Sequence, residues 1–274
     1  MTEQSSYGIG LGSQFSDEER RLAAMEELFD PGTFRCLTSL GIAPGMRCLE
    51  VGGGRGSVAR FMAERVGPVG EVVVTDIDVE QLRGCDAPNL TVRVHDVAVD
   101  PLEEFGFDIV HARLVLEHLP TRLAVLDKLV AALRPGGWLL AEDFDFSAWL
   151  HLAPHRLFCE PKSLGAAVQA GYVAGAAAGA TTSTWDGEFG RGLPAHLVDA
   201  GLVNVGGEAW SPVIVGGSSA SYAFTVSARR FGPLAVQAGS MSQRELDDVI
   251  TAFEQPGAMT TFVPMVSAWG RRPD

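Results

Sequence analysis

Lysine is nearly absent from the chain: among 274 residues only Lys128 and Lys162 occur, and the formal net charge is −13. Contact with nucleic-acid phosphates needs a basic stripe. The arginines here are scattered rather than clustered, so an electrostatic nucleic-acid binder is disfavoured. Cysteine is sparse as well. Cys36, Cys48, Cys85 and Cys159 are widely spaced with no C-x-x-C, which speaks against a zinc site and against a disulfide framework. The first residues are polar and acidic, unlike a signal peptide. The most apolar helix candidate, residues 164–180, is mainly Ala and Gly and too weakly hydrophobic to span a bilayer. These absences imply a reducing, cytoplasmic setting. No Pro- or Gly-rich linker and no internal repeat divides the chain, and 46% hydrophobic residues suffice for one large core.

What is present is organised around residues 47–66. Cys48, Leu49 and Val51 flank Glu50 in an apolar run that reads as a buried strand. A glycine cluster follows, and Val58, Phe61, Met62 and Val66 then recur at helical spacing. Strand, glycine turn and helix open a nucleotide-binding α/β unit. The glycines permit a sharp turn and close backbone approach to a ligand, and the free amides at the helix start face it. The dinucleotide fingerprint G-x-G-x-x-G fails here, because Ser57 stands where its third glycine belongs. The spacing present is acidic-x-Gly-x-Gly-x-Gly: Glu50, Gly52, Gly54 and Gly56.

Further signals follow in order. A second strand over residues 71–75 ends at Asp76, 20 positions beyond Gly56, where an acid can hydrogen-bond a ribose. Asp78 reads as solvated or as a cap for the turn toward Leu82. A third strand, residues 90–94, leads to His95, Asp96 and Val97. A fourth, residues 107–112, is followed by Arg113-Leu-Val-Leu-Glu-His-Leu-Pro120, and Thr121 caps a helix with Leu123, Leu126, Leu129, Val130 and Leu133 inward. Arg134-Pro-Gly-Gly137 breaks that helix before a fifth strand at residues 138–142.

Upstream, Ser16 with Glu19 predicts a capping box, and Asp30-Pro31-Gly32 predicts an end to that helix and the start of a second, short one reaching Leu40. Downstream, helices are predicted at 157–180, 192–200, 218–236 and 242–253, with strands at 203–210 and 259–269. Gly171, Gly175 and Gly179 recur every four residues and read as a close-packing stripe.

The glycine motif, the acids ending the second and third strands, Glu117-His118-Leu119 and the Leu-Arg-Pro-Gly-Gly turn together resemble class I S-adenosylmethionine (SAM) dependent methyltransferases acting on small molecules, of the ubiquinone/menaquinone-biosynthesis type. The resemblance implies an α/β fold: a seven-stranded, mostly parallel Rossmann-like sheet with an antiparallel last strand. It also implies one domain over 1–274, with an N-terminal helical cap (1–41), a SAM-binding core (42–143) and lid insertions (144–190 and 212–256). In this reading Glu50 approaches the amino-acid end of SAM, Gly52, Gly54 and Gly56 form the turn, and Asp76 and Ile77 meet the ribose. Asp96 and the Val97 backbone meet the adenine, and Arg113 and Tyr7 complete the surroundings.

Methyl transfer mainly requires the nucleophile to be held on the methyl axis with water excluded; a base is needed only for acceptors that are poor nucleophiles when protonated. Candidate bases are His118, Glu117, His111, His151 and Glu142, with His118 best placed after the fourth strand. A histidine held by a backbone partner is an equal reading. Asp143 and Asp145 lack an Asp-Asn partner pair, so no metal is expected. Phe144, Phe146, Trp149, Trp185 and Tyr222 make an aromatic set suited to a small hydrophobic or aromatic acceptor, as in secondary-metabolite tailoring, or equally to lid core. The partners implied are that acceptor, no nucleic acid and no membrane; a homodimer is left open. Two other readings stand beside this one: a SAM- or ligand-binding protein without catalysis, and a nicotinamide-dependent reductase. The second lacks any Tyr-x-x-x-Lys among Tyr7, Tyr172 and Tyr222.

Overall fold

The alternating strand and helix signals resolve into one seven-stranded sheet in the computed structural model, which describes residues 16–148, 185–237, 239 and 241–274. In chain order the elements are α1 (Glu18–Ser39), β1 (Arg47–Val51), α2 (Ser57–Val66), β2 (Glu71–Asp76), β3 (Leu90–Val94), β4 (Phe107–Arg113), α3 (Arg122–Ala132) and β5 (Leu133–Phe144). Then come α4 (Phe189–Asp199), β6 (Val203–Trp210), β7 (Val213–Val215), α5 (Ser219–Gln237), α6 (Gln243–Glu254), β8 (Met259–Thr261) and β9 (Met265–Arg271). The sheet order is β3-β2-β1-β4-β5-β9-β6. β3 through β5 are parallel, and β9 runs antiparallel to both β5 and β6. The order reverses between β1 and β4, and in open α/β sheets a ligand binds outside the carboxyl ends of the strands at such a switch point.

Both faces of the central strands are covered. Leu37, Cys48, Met62, Val72, Ile109 and Leu140 fill the face under α1 and α2. Leu49, Val110, Leu126, Leu129, Leu139 and Leu197 fill the face under α3 and α4. A third cluster lies among α1, α5, α6 and the ends of β5 and β9, with Phe29, Phe144, Phe224, Phe253 and Phe262 at its centre.

The structure corrects the sequence reading in several places. α1 is one helix that runs through Pro31. Anchors on both sides of the proline override it: Phe29 and Leu37 are buried, Asp30 is bound by Arg113 and Ser57, and Thr33 by Glu142. The Ser16–Glu19 capping box does not form. Asp17 occupies the N-cap without a side-chain capping bond, its carboxylate pairing with Arg230, and Glu19 reaches across to Arg55 instead. The final strand divides at Pro264, which has no N–H to donate to a ladder. β8 pairs with β7 in a separate two-stranded sheet, and only β9 joins the main one. Thr121 precedes α3 without a side-chain cap bond. β5 begins at Leu133, so Arg134-Pro-Gly-Gly137 is an irregularity within the strand, marked by the register shift between Phe107 and Ile109. Asp78 caps a 3₁₀ turn over Val79–Leu82, accepting from the Glu80 amide. The helix predicted at 157–180 and its glycine stripe lie outside the described residues.

Candidate active site

The turn after β1 is held by the neighbouring strand. Gly52 N and Gly53 N donate to Thr75 O at 2.8 and 3.1 Å, and Gly56 N closes onto Gly53 O at 2.8 Å. Gly52, Gly54 and Gly56 have φ of +73°, +53° and +78°, conformations open to glycine at no steric cost. Their surroundings differ. A Cβ at Gly52 would stand 2.3 Å from Val115, and one at Gly56 would stand 2.3 Å from the Cys85 Sγ. A Cβ at Gly54 would meet nothing within 4 Å. Gly52 and Gly56 are therefore glycine for packing, whereas Gly54 borders open space.

Asp76, at the tip of β2, spans this turn: its Oδ2 accepts from Gly54 N at 3.1 Å and its Oδ1 from Asp78 N at 2.9 Å. Burial pushes its carboxyl up against the pull of those amides. Ile77 beside it is 48% exposed, an apolar surface left uncovered at a strand end. Asp96 accepts from Ala98 N at 2.9 Å, and its own amide donates to Asp100. The Val97 side chain is buried in the core. Arg113 donates to Thr33 Oγ1 and Asp30 Oδ1, both at 2.9 Å, and Asp30 also accepts from Ser57 at the start of α2. The β4 tip, α1 and the glycine turn are thus joined by one set of bonds.

Glu50 faces His111, whose Nδ1 lies 2.6 Å from Glu50 Oε2 and whose Nε2 lies 2.9 Å from Glu142 Oε2. All three side chains are buried. The two carboxylates hold the His111 pKa up at about 9 against the cost of burial, while burial pushes Glu50 up and the His111 bond helps to hold Glu142 down.

A second polar group lies past β4 and β5. Glu117 accepts from Phe144 N at 3.0 Å and from Trp185 Nε1 at 3.4 Å, and burial pushes it up to about 7. Asp143 is buried, with Glu117 N, at 3.5 Å, as its single donor among the described residues. Burial and the Glu117 charge raise its carboxyl well above the usual range. His118 Nε2 lies 3.4 Å from Glu117 Oε1, and burial with the Arg21 and Arg122 cations lowers the imidazole to about 4.

Among the aromatics, Phe144 meets Phe146 at 5.7 Å and Phe146 meets Trp185 at 5.1 Å between ring centroids. Phe144 also packs edge-on to Phe29 and belongs to the third core cluster. Tyr222 packs instead under the Arg20 guanidinium, 3.6 Å from its ring centre. Tyr7, Trp149 and His151 lie outside the described residues. Among the described residues no group of His, Cys, Asp and Glu is arranged to hold a metal ion, and no helix is long and apolar enough to cross a membrane. Asp143 as a companion to Glu117, and His111 as a partner of Glu50, were not assigned by the sequence. Alternation along the fifth strand, with Glu142 and Asp143 at its tip on opposite faces, was the available signal for the first.

Comparison with known proteins bears on this arrangement. The sequence model of the family described as "Methyltransferase domain" matches residues 21–170, more than half of the chain. A ubiquinone/menaquinone biosynthesis C-methyltransferase from Laribacter hongkongensis is 31% identical over 151 residues, covering 51% of this chain and 62% of that protein. Methyltransferase str2 from Strobilurus tenacellus is 35% identical over 114 residues, 40% of each. The chain thus spans about three fifths or less of the length of these curated relatives. Among solved structures, phosphoethanolamine N-methyltransferase 2 of Haemonchus contortus, in complex with SAM, superposes with a TM-score of 0.58 at 15% identity, over 99% of this chain and 60% of that one. A putative methyltransferase from Bacillus halodurans superposes at 0.55 with 17% identity, over 89% and 100%. At such identities the likeness establishes the fold alone.

Proposed function

The chain belongs to the methyltransferase-domain family and has the class I SAM-dependent methyltransferase fold, and on that premise we propose that it transfers a methyl group from SAM to a small, largely apolar or aromatic acceptor. The observation that carries this reading is the turn itself, where Asp76 bridges to Gly54 N and the Gly54 Cβ position opens onto empty space. The residues present fit the cofactor. No donor among the described residues reaches Glu50 Oε1, which leaves it to accept from the ammonium of SAM. Asp76 would bind a ribose hydroxyl, the exposed Ile77 would cover the ribose and purine, and Asp96 with the Val97 backbone would meet the adenine edge.

Bound SAM supplies an electrophilic methyl on a sulfonium, with its leaving group already activated. The protein's work is then to orient the acceptor, exclude water and take a proton where the acceptor requires it. Phe144, Phe146 and Trp185 would wall the acceptor site, with residues 212–256 as a lid and residues 16–41 as a cap; the remainder of the expected cap (1–15) and of the first lid insertion (149–184) lies outside the described residues. Among the candidate bases, Glu117 at about 7 is better matched to neutral pH than His118 at about 4. The Asp143 carboxyl beside it would share the proton.

Calorimetry of the purified protein against SAM and NADPH tests the cofactor: SAM should bind and NADPH should not. Asp76→Ala should weaken SAM by about 1.5–3 kcal/mol through loss of a charge-assisted hydrogen bond, and unchanged affinity would remove Asp76 from the site. Labelled SAM offered with a panel of aromatic small molecules tests the acceptor. Transfer only to nucleic acid or protein would sink the reading.

A further inference from the structure

Three ionisable residues on three strands meet beneath the glycine turn: Glu50 on β1, His111 on β4 and Glu142 on β5. Removing such a group from water costs several kcal/mol per ion, and apolar replacements of equal volume often match it in stability. The core next to the trio on this face is apolar, with Cys48, Ile109 and Leu140, so stability alone does not account for burying three ionisable groups there. Both ring nitrogens of His111 face carboxylate oxygens, at 2.6 and 2.9 Å. An imidazole that donates from both nitrogens is an imidazolium.

The two carboxylates it bridges are unequally satisfied. Glu142 has two further donors, Thr33 Oγ1 and Ser267 Oγ, each at 2.5 Å, whereas His111 is the one hydrogen-bond donor to the Glu50 carboxylate among the described residues. Among the described residues Glu50 Oε1 therefore has no donor, two positions before Gly52. Thr33 belongs to α1, and Arg113 also donates to its hydroxyl.

We propose that His111 is a positioning residue for the cofactor: as an imidazolium clamped by Glu142 it fixes Glu50 with Oε1 presented to the ammonium of SAM, and through Glu142 and Thr33 it locks α1 to the same floor. This rests on the SAM reading above. The groups facing the trio are Thr33 and Cys36 from α1, Arg113 from β4 and Ser267 from β9, with Cys48 on β1 and Cys85 near Glu50. The Cys36 and Cys48 thiols are pushed up to about 12 and stay neutral. His111 is then the group of this set that changes charge between neutral and mildly alkaline pH.

The test uses the full chain. Side-chain ¹⁵N NMR of His111 in the SAM-free protein should show both nitrogens protonated at pH 7.5, with the proton lost near pH 9. In Glu142→Gln that loss should move to lower pH. SAM affinity by calorimetry should fall along with the His111 proton in each protein, which a merely structural histidine would not produce. His111→Gln should bind SAM about 10–100-fold more weakly, the range typical when an outer partner of a ligating group is removed. Should His111→Gln fail to fold, the Glu142→Gln profile decides alone. A neutral imidazole at pH 7, an affinity that does not track the His111 proton, or His111→Gln binding within twofold of the unaltered protein overturns this proposal and leaves the SAM reading standing. Absence of SAM binding by the unaltered protein overturns both.

Discussion

Glu117 and His118 are neighbours, yet burial drives them in opposite directions, because it disfavours a carboxylate and an imidazolium alike. The acid rises to about 7 and the imidazole falls to about 4, so near neutrality Glu117 exchanges its proton while His118 stays neutral. For a hydroxyl acceptor, Glu117→Gln should lower turnover by about 10²–10⁴-fold with SAM affinity intact. The remaining pH profile should lose the limb that rises through about pH 7. Full activity in that variant would point to an acceptor needing positioning alone. Residue scale also separates the glycines. Gly56→Ala would drive a Cβ into the Cys85 Sγ and should destabilise the fold strongly. Gly54→Ala meets open space and should cost only the left-handed backbone strain, about 1–2 kcal/mol, while obstructing SAM. Equal melting losses in the two variants, with equal SAM binding, would refute that distinction.

At the scale of elements, the legible parts of the sequence were those set by local pattern. β1 to β4 fall within a residue or so of their apolar runs, and Asp76 reaches the glycine turn because motif spacing and strand register agree. Where tertiary contacts overrode local rules, the sequence misled. Pro31 reads as a helix break, but contacts from β4, β5 and α2 hold residues on both sides of it. Pro264 divides a run that looks continuous. The Glu50–His111–Glu142 trio was illegible because its members are 61 and 31 residues apart. Only the pairing of β1 with β4 and of β4 with β5 stacks them. α1 also contributes Phe29, 2% exposed and edge-on to Phe144 and Phe262. Phe29→Ala should cost about 3–5 kcal/mol, the usual range for a buried aromatic. A denaturant midpoint close to that of the unaltered protein would show that α1 is not part of the cooperative unit.

Over the whole molecule, the buried ionisable groups set how stability depends on pH, and their signs can be combined. His111 has a folded pKa of about 9 against an ordinary 6.5. Its contribution is complete below pH 6.5 and is lost as pH rises through about 9. Glu117, raised from 4.5 to about 7, and Asp143, raised well above 3.8, hold their protons more tightly when folded. Their contribution is present at low pH and declines as pH rises past the ordinary carboxylate range. Glu142 and Glu18 oppose this: both are lowered, by His111 and by Arg21 and Arg230 respectively. Their contribution is present above pH 4.5 and disappears on acidification. Below pH 4.5 the lowered pair therefore loses stability, and between pH 6.5 and 9 the loss at His111 has no opposing group among these five. The melting temperature should peak in the mildly acidic range and fall steadily from pH 6.5 to 9. Glu142→Gln removes one of the two carboxylates holding up His111, so its alkaline decline should begin at lower pH. A melting temperature that is flat or rising from pH 6.5 to 9 in the unaltered protein would mean that His111 is not charged between its two carboxylates.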